Sequence, residues 1–172
     1  MVMGLPFDVV DLPEADHVGE GEQAPDFERP LVNSEYWEDA SLSDLTGDEP
    51  LVLLAHTMDG DFTATYMWKQ VRNREWDEIA RVVGLSISTP YEHKRFIDEW
   101  HLEGYELFSD PGNDVAERYG IVNELDGMAG VAEPKPAVYL VGEDMTVEWA
   151  WVASEWPDFP PYDAIEAELE EL

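Results

Sequence analysis

The stretch LVLLAHTMDGDFTATY, which spans residues 51–66, decides the fold of this chain. Its first six residues form an apolar run that follows the turn-forming sequence at 47–50, a pattern typical of a buried strand. The residues after it predict a helix from Thr63 to Trp76, with Thr63 as the N-cap. A buried strand that leads into a helix indicates a sheet covered by helices.

The same alternation continues along the chain. Residues 81–87 predict a second buried strand, and Pro90 begins a helix that runs to about Glu103, with Ser88 or Thr89 as its cap. The elements predicted after it are a strand at 106–109, a helix at 112–119, a loop at 123–136, strands at 137–141 and 146–152, and a helix from Tyr162. Strands separated by helices predict an α/β fold with parallel pairing, in which the last two strands form a hairpin.

The predicted domain organisation is simple. Residues 1–20 are expected to form an acidic, irregular lead-in that contains Pro6 and Pro13. No repeat or low-complexity linker follows, so residues 21–172 are predicted to form a single domain.

Charge and composition exclude several classes of function. The chain has 9 Lys and Arg residues against 40 Asp and Glu residues, which gives a net charge of −31. Nucleic acid and anionic lipid are both bound through clusters of Lys and Arg, so neither is an expected partner. The chain has no cysteine, and it therefore has no thiol nucleophile, disulfide or iron–sulfur cluster. No apolar run approaches the ~20 residues of a membrane span, and the acidic start lacks the basic segment of a secretion signal, so we expect a cytoplasmic protein.

The acidic residues have two interpretations. Because 44% of the residues are hydrophobic, the chain has material for a core, and the acids then cover a folded surface. Such a surface repels itself unless salt screens it, and at molar salt the Debye length falls to ~3 Å. An acid-rich, lysine-poor composition without cysteine resembles that of cytoplasmic proteins from salt-accumulating archaeal halophiles, which predicts potassium-dependent folding. The alternative is an acidic partner-binding protein, whose acids would cluster on one face.

Six short motifs occur in the order expected of one protein family. They are GEQAPDF (21–27), SLSDL (41–45), LVLLAH (51–56), GLSIS with YEH (84–88 and 91–93), LFSD with VAERYG (107–110 and 115–120) and AVYLV (137–141). In these motifs the chain resembles peroxiredoxins of the alkyl hydroperoxide reductase/thiol-specific antioxidant type, the redoxin family. The resemblance implies a thioredoxin-like fold, with a central mixed sheet flanked by helices, a peroxiredoxin-type N-terminal extension, and an inserted strand and helix. It also implies an antioxidant oxidoreductase and dimers that form through sheet edges or helix tips.

The catalytic motif of that family is incomplete here. The family pattern is Pro-x-x-x-Thr-x-x-Cys, placed where the first central strand turns into the first helix, so that the helix N-terminus and an arginine lower the pKa of the thiol. In this chain Asp59 replaces the proline, Thr63 matches the threonine, and Tyr66 replaces the cysteine. A phenol with a pKa of ~10 cannot replace a thiolate as the nucleophile that attacks peroxide. We therefore expect a scaffold that serves in binding or assembly; the alternative is an enzyme that uses the remnant pocket with non-thiol chemistry.

The remnant of that pocket is predicted to contain Thr63, Tyr66, Lys135 and Pro136. Lys135 would supply a basic group one residue away from the arginine position of the family. Pro136 lies where thioredoxin-fold proteins place a cis-proline, although cis bonds make up only about 5–6% of X–Pro bonds in general, so both isomers remain open. Tyr66 is expected to fill the space of the missing thiol pocket and to pack in the core. In the second interpretation, its hydroxyl serves a bound small molecule or peptide.

Other candidate sites have weaker signals. No cofactor is expected, and no metal site either, since no two histidines have the i, i+4 spacing of a helical metal site. Ser86, Ser88 and His93 resemble a Ser–His–acid set in residue type only, because the Gly-x-Ser-x-Gly turn of hydrolases is missing. The aromatic, proline-rich stretch at 149–162 is either a stiff connection to the last helix or a subunit interface. The expected partner is a second copy of the chain or another protein of a redox system.

Overall fold

The computed structural model describes residues 10–12, 16–123 and 129–172. The strands are β1 (Val10–Asp11), β2 (Glu28–Val32), β3 (Trp37–Ser41), β4 (Leu51–Ala55), β5 (Arg81–Ser86), β6 (Glu106–Ser109), β7 (Val122–Asn123), β8 (Glu133–Pro134), β9 (Ala137–Val141), β10 (Val147–Val152) and β11 (Glu155–Trp156). The helices are α1 (Phe62–Asn73), α2 (Pro90–Trp100), α3 (Asp114–Tyr119) and α4 (Tyr162–Glu170), with short 3-10 helices at Leu42–Leu45 and Trp76–Glu78.

A mixed sheet of seven strands forms the centre of the molecule, in the order β10–β9–β4–β5–β6–β2–β3. β4, β5 and β6 pair in parallel, and a helix lies in each of the two connections between them. β9 pairs antiparallel with β4, and it pairs with β10 in the hairpin that the sequence predicts. The predicted α/β fold of thioredoxin type, with a central mixed sheet flanked by helices, is therefore confirmed.

The two faces of the sheet have separate hydrophobic cores. Because side chains alternate along a strand, Leu51 and Leu53 of β4 face one core while Val52 and Leu54 face the other. The first core includes side chains of α3, and the second includes side chains of α1, α2 and α4. The parallel strands β4 and β5 end at the same edge of the sheet, so the turns that follow them lie side by side.

Several element boundaries differ from the predicted ones. The sequence pattern does not predict β2 and β3, which form an antiparallel hairpin at one edge of the sheet. The β3 sequence, WEDAS, lacks the alternation of apolar and polar residues that marks a half-buried strand, and none of its residues is fully buried. α1 begins at Phe62 with Asp61 as its N-cap, one residue before the predicted start, and it ends at Asn73. Trp76 accordingly belongs to a 3-10 turn.

The predicted lead-in and loop both contain short strands. Val10–Asp11 pairs with Glu155–Trp156, so this part of the 1–20 lead-in is not irregular. The predicted loop at 123–136 contains β8, which pairs with β7, while residues 124–128 lie outside the described part of the chain. Among the described residues, no helix combines the length and the apolar character that crossing a membrane requires.

Candidate functional site

The turn between β4 and α1, residues 56–61, is where the sequence predicts the remnant pocket. Gly60 has a φ of +89°, in the left-handed region that glycine adopts at little cost, and the chain reverses here before α1 begins. The carboxylate of Asp61 accepts hydrogen bonds from the hydroxyl groups of Thr57 and Thr63, the latter at 2.8 Å. Local hydrogen bonds therefore hold the start of α1 in place.

Two of the four predicted pocket residues lie in α1. Thr63 is buried, whereas Tyr66 is 44% exposed, so the expectation that Tyr66 packs in the core is wrong. The larger side chains that α1 buries, together with Ala64, are Met67, Trp68 and Val71. These positions are three or four residues apart and form one stripe along the helix, and Tyr66 falls outside that stripe.

The other two predicted residues lie just before β9. Lys135 is buried, and its burial lowers the pKa of the ammonium group. The peptide bond before Pro136 is trans, since the cis bond found among the described residues follows β11. Ala137 pairs with Ala55, so Lys135 and Pro136 lie at the same edge of the sheet as the β4–α1 turn.

Three aromatic side chains form a partly exposed cluster at the start of α1, here called the aromatic patch: Phe62, Tyr66 and Phe159. The ring centroids of Tyr66 and Phe159 are 4.7 Å apart, and that of Phe62 is 6.4 Å from Tyr66 and 6.3 Å from Phe159. Phe62 is 44% exposed, as Tyr66 is. Phe159 belongs to the aromatic stretch at 149–162, so the structure brings together two features that are far apart in the sequence.

On the buried side of the same turn, three side chains form a second cluster, here called the histidine cluster: His56, Asp59 and His93. Nε2 of His56 bonds to one oxygen of the Asp59 carboxylate at 2.8 Å, and Nδ1 of His93 bonds to the other at 2.7 Å. The side chains of both histidines are fully buried, and that of Asp59 is 6% exposed. The backbone N–H of Asp59 also donates to Oγ of Ser88 at 2.8 Å, so the loop after β5 supports the turn after β4.

The Asp59 carboxylate is ionised in this setting. Burial by itself raises its pKa, because a charge in a poorly solvated place is unfavourable. The hydrogen bonds from His56 and from His93, together with charge interactions with both rings, outweigh burial and lower the pKa of Asp59 to about 2. The Asp59 carboxylate is therefore negatively charged at neutral pH.

The Ser–His–acid set is not assembled in the described part of the molecule. His93 bonds through Nδ1 to Asp59, and through Nε2 to the carbonyl oxygen of Phe108 at 2.9 Å, so both ring nitrogens are occupied. Oγ of Ser88 accepts from the Asp59 backbone, and Oγ of Ser86 accepts from the Ser88 backbone at 3.1 Å. Neither hydroxyl is placed as a nucleophile next to His93.

The histidine cluster is a feature that helical spacing does not predict. His56 directly follows β4, and His93 lies on α2, which follows β5. A search for two histidines on one helix misses such a pair. The informative signal is the strand order, because residues that follow adjacent parallel strands meet at the same edge of the sheet.

Family comparison agrees with this architecture. Residues 20–150, well over half of the chain, match the model of the AhpC/TSA family. The chain belongs to the AhpC/TSA family. The whole sequence contains no cysteine. No curated protein sequence matches the chain significantly.

Solved structures of peroxidases and peroxiredoxins share the fold. A thiol peroxidase from Chromobacterium violaceum has a TM-score of 0.77 at 23% identity, over 93% of this chain and 91% of that chain. Peroxidoxin BcpB from Mycobacterium tuberculosis has a TM-score of 0.72 at 22% identity, over 91% and 99%. A 2-Cys peroxiredoxin from Plasmodium vivax has a TM-score of 0.71 at 16% identity, over 89% and 81%. At these identities the likeness establishes the fold alone.

Proposed function

We propose that this AhpC/TSA-family protein acts as a binding or assembly component and does not turn over peroxide with a thiol. The observation that carries the proposal is the exposure of Tyr66, which stands where the family pattern has its reactive cysteine. A ring that is 44% exposed beside the equally exposed Phe62 leaves apolar surface in water. Surface of this kind is typical of protein interfaces, in which aromatic residues are enriched.

The partner we propose is a second copy of the chain. The aromatic patch lies at the first turns of α1, and resemblance to peroxiredoxins implies dimers that form through sheet edges or helix tips. Phe159 joins the patch from the 149–162 stretch, for which a subunit interface is one of the two interpretations. A two-fold contact would place the patch of one copy against that of the other. With a net charge of −31 on each copy, such a contact needs salt to screen the repulsion.

Sedimentation velocity in dilute buffer and in molar KCl tests the assembly. The wild-type chain is expected to be a dimer in molar KCl and to dissociate as salt is removed. The double variant Phe62→Ser and Tyr66→Ser is expected to stay monomeric in both conditions, because it lacks two of the three rings of the patch. The matched control is Tyr91→Ser, which removes a ring that is 74% exposed but lies outside the patch, and this variant should dimerise like the wild type.

A single variant separates assembly from catalysis in the remnant pocket. Tyr66→Phe keeps the ring and removes the hydroxyl, so dimerisation should survive, whereas an enzyme that used the phenol would lose its activity. If the wild-type chain stays monomeric in molar KCl but captures a defined redox protein, the partner is that protein and not a second copy of the chain. Peroxide consumption comparable to that of a thiol peroxidase would contradict the whole proposal.

We further propose that the acidic surface adapts the protein to the potassium-rich cytoplasm of a halophile. The support is compositional: 40 acidic residues against 9 basic ones leave most carboxylates without a positive neighbour. Screening of that like charge should stabilise the folded state. The melting temperature is therefore expected to rise steadily from dilute buffer to molar KCl, and a melting temperature that does not depend on salt would contradict this proposal.

A further inference from the structure

The hydrogen bonds of the histidine cluster fix the proton of His56. The indole N–H of Trp68 can only donate, and its partner is Nδ1 of His56 at 3.0 Å. That nitrogen therefore has no proton, and the ring carries its single proton on Nε2, from which it donates to Asp59. His56 is a neutral ring in one defined tautomer.

His93 is in the opposite situation, because it faces an acceptor at each nitrogen. Nδ1 meets the Asp59 carboxylate, and Nε2 meets the carbonyl oxygen of Phe108, which can only accept. A neutral imidazole has one N–H and satisfies only one of these acceptors. With Asp59 ionised, both bonds form only when His93 carries two protons. The hydrogen-bond geometry thus calls for a proton on each nitrogen of His93 when Asp59 is ionised.

The same accounting of protons argues against a metal ion in this cluster. Its three residues have the composition of a metal site, with ligand atoms that all lie within 4.8 Å of one another. A histidine that binds a metal through Nε2 keeps a proton on Nδ1 and donates it to an acceptor. In His56 that proton would point at the N–H of Trp68, which is another donor. The hydrogen bonds of the cluster therefore fit protons on the ring nitrogens and do not fit a bound metal ion.

We propose that the histidine cluster is a proton-dependent clamp that fastens the β4–α1 turn to α2 and β6 only while His93 holds both of its protons. Asp59 is the turn residue that both rings bind. If His93 loses a proton, either the Asp59 carboxylate or the Phe108 carbonyl faces a lone pair. A buried carboxylate without its cation is strongly unfavourable, so Asp59 is then expected to move toward water.

Charged groups lie on more than one side of the histidine cluster. A cleft of about 180 Å³ beside Asp59 is lined by Gly60, Glu92, Arg95, Phe96 and Glu99, and it gives the carboxylate a route to solvent. From the end of β6, Asp110 is already paired with Arg29 at 2.9 Å. Ser86 of β5, Ser88 of the loop after β5 and Trp68 of α1 are uncharged neighbours of the cluster.

The clamp has a consequence for the aromatic patch. Phe62 and Tyr66 follow the turn directly, so release of Asp59 would move the first turn of α1 that carries them. This consequence rests on the proposed function, whereas the clamp itself does not. The experiment below reads only the protons and the turn, so its failure is distinguishable from a failure of dimerisation.

Imidazole nitrogen NMR of the wild-type protein tests the clamp as the pH is raised from mildly acidic to alkaline. His56 should show the Nε2–H tautomer throughout. His93 should show two protonated nitrogens at neutral pH and lose one on titration, and amide exchange at residues 57–61 should rise in the same step. His101 is the internal reference, because its side chain is 76% exposed. Equimolar Zn²⁺ should leave the signals of His56 and His93 unchanged.

A pair of variants completes the test. Asp59→Asn should leave His93 with a single proton at neutral pH, and His101→Gln should change neither ring of the cluster. If Asp59→Asn does not fold, the wild-type spectra decide the matter alone. The proposal is overturned by a singly protonated His93 in the wild type at neutral pH or by a proton on Nδ1 of His56. It is also overturned if Zn²⁺ shifts the signals of both rings, or if amide exchange at residues 57–61 does not change when His93 loses its proton.

Discussion

The β4–α1 turn has two sides that differ in almost every physical respect. On its buried side, the Asp59 carboxylate bonds to two histidines, and each of the four ring nitrogens has a hydrogen-bond partner. On its other side, the rings of Phe62 and Tyr66 lie nearly half in water and contact each other and Phe159. Directional polar contacts dominate one side, and non-directional apolar contacts dominate the other.

The difference shows how this fold persists without thiol chemistry. A peroxidatic thiol needs a helix N-terminus, a basic neighbour and access for peroxide. In this chain the buried side of the turn holds a carboxylate with its histidines, and the Tyr66 side chain lies at the surface. We expect the buried side to determine stability and the exposed side to determine association, and the substitutions below test this division.

The largest effect is expected from Asp59→Asn. This substitution keeps the size of the side chain but removes the charge that faces His93, and loss of one partner from a buried pair costs about 3–5 kcal/mol. Denaturant unfolding in molar KCl measures the loss. The matched control is Asp163→Asn, whose carboxylate pairs with Arg74 but is 94% exposed, so its loss should not exceed about 1 kcal/mol. Equal losses in the two variants would mean that the histidine cluster stabilises no more than a surface ion pair.

Gly84→Ala disturbs the buried side without touching a charged residue. A Cβ at this position in β5 would meet a side-chain atom of Leu107 and lie 2.7 Å from Cζ2 of Trp68, the indole that fixes the tautomer of His56. Overpacking of a well-filled core costs about 1–3 kcal/mol, and this loss should appear in the same unfolding assay. Gly47→Ala is the control, because a Cβ there has nothing within 4 Å. If Gly84→Ala leaves the free energy of unfolding unchanged, the core around β5 relaxes easily.

The pH dependence of stability should separate wild type from Asp59→Asn. The pKa of Asp59 falls from 3.8 to about 2 on folding, so its carboxylate stabilises the folded state above the unfolded value and loses that effect as the pH falls toward about 2. The difference in unfolding free energy between the two proteins should therefore shrink between these pH values, by at most about 1.4 kcal/mol per pH unit. Subtracting the variant removes the contribution of the other carboxylates. A difference that stays constant over this range contradicts the lowered pKa.

The sequence predicts the central elements of the fold well and the two clusters poorly. The predicted bounds at 106–109 and 137–141 coincide with β6 and β9, and Thr89 caps α2 as one of the two predicted residues. These elements are apolar runs or capped helices whose signals are local. β2 and β3 lack such a signal, because most of their residues are only partly buried or exposed.

Both clusters depend on contacts between residues that are far apart in the chain. His93 lies 34 positions from Asp59, and Phe159 reaches Tyr66 from the segment before α4. Periodicity shows which residues share a helix face, but it does not show which neighbouring segment covers that face. The exposure of Tyr66 could have been predicted from helical spacing. Met67 and Trp68 belong to the buried stripe of α1, and Tyr66 lies beside that stripe.

The smallest effect on stability is expected from Tyr66→Ala on the exposed side. Its ring is already 44% exposed, so truncation removes contacts such as those with Phe62 and Phe159, at about 0.5–1 kcal/mol. Met67→Ala, one residue further along α1, truncates a side chain that is 2% exposed and should cost about 2–5 kcal/mol. The pair should behave in the opposite way in sedimentation, where Tyr66→Ala weakens the dimer and Met67→Ala leaves it intact under conditions in which the variant is folded. A Tyr66→Ala variant that unfolds as readily as Met67→Ala would mean that the aromatic patch belongs to the core, and the division between a stabilising side and an associating side would be lost.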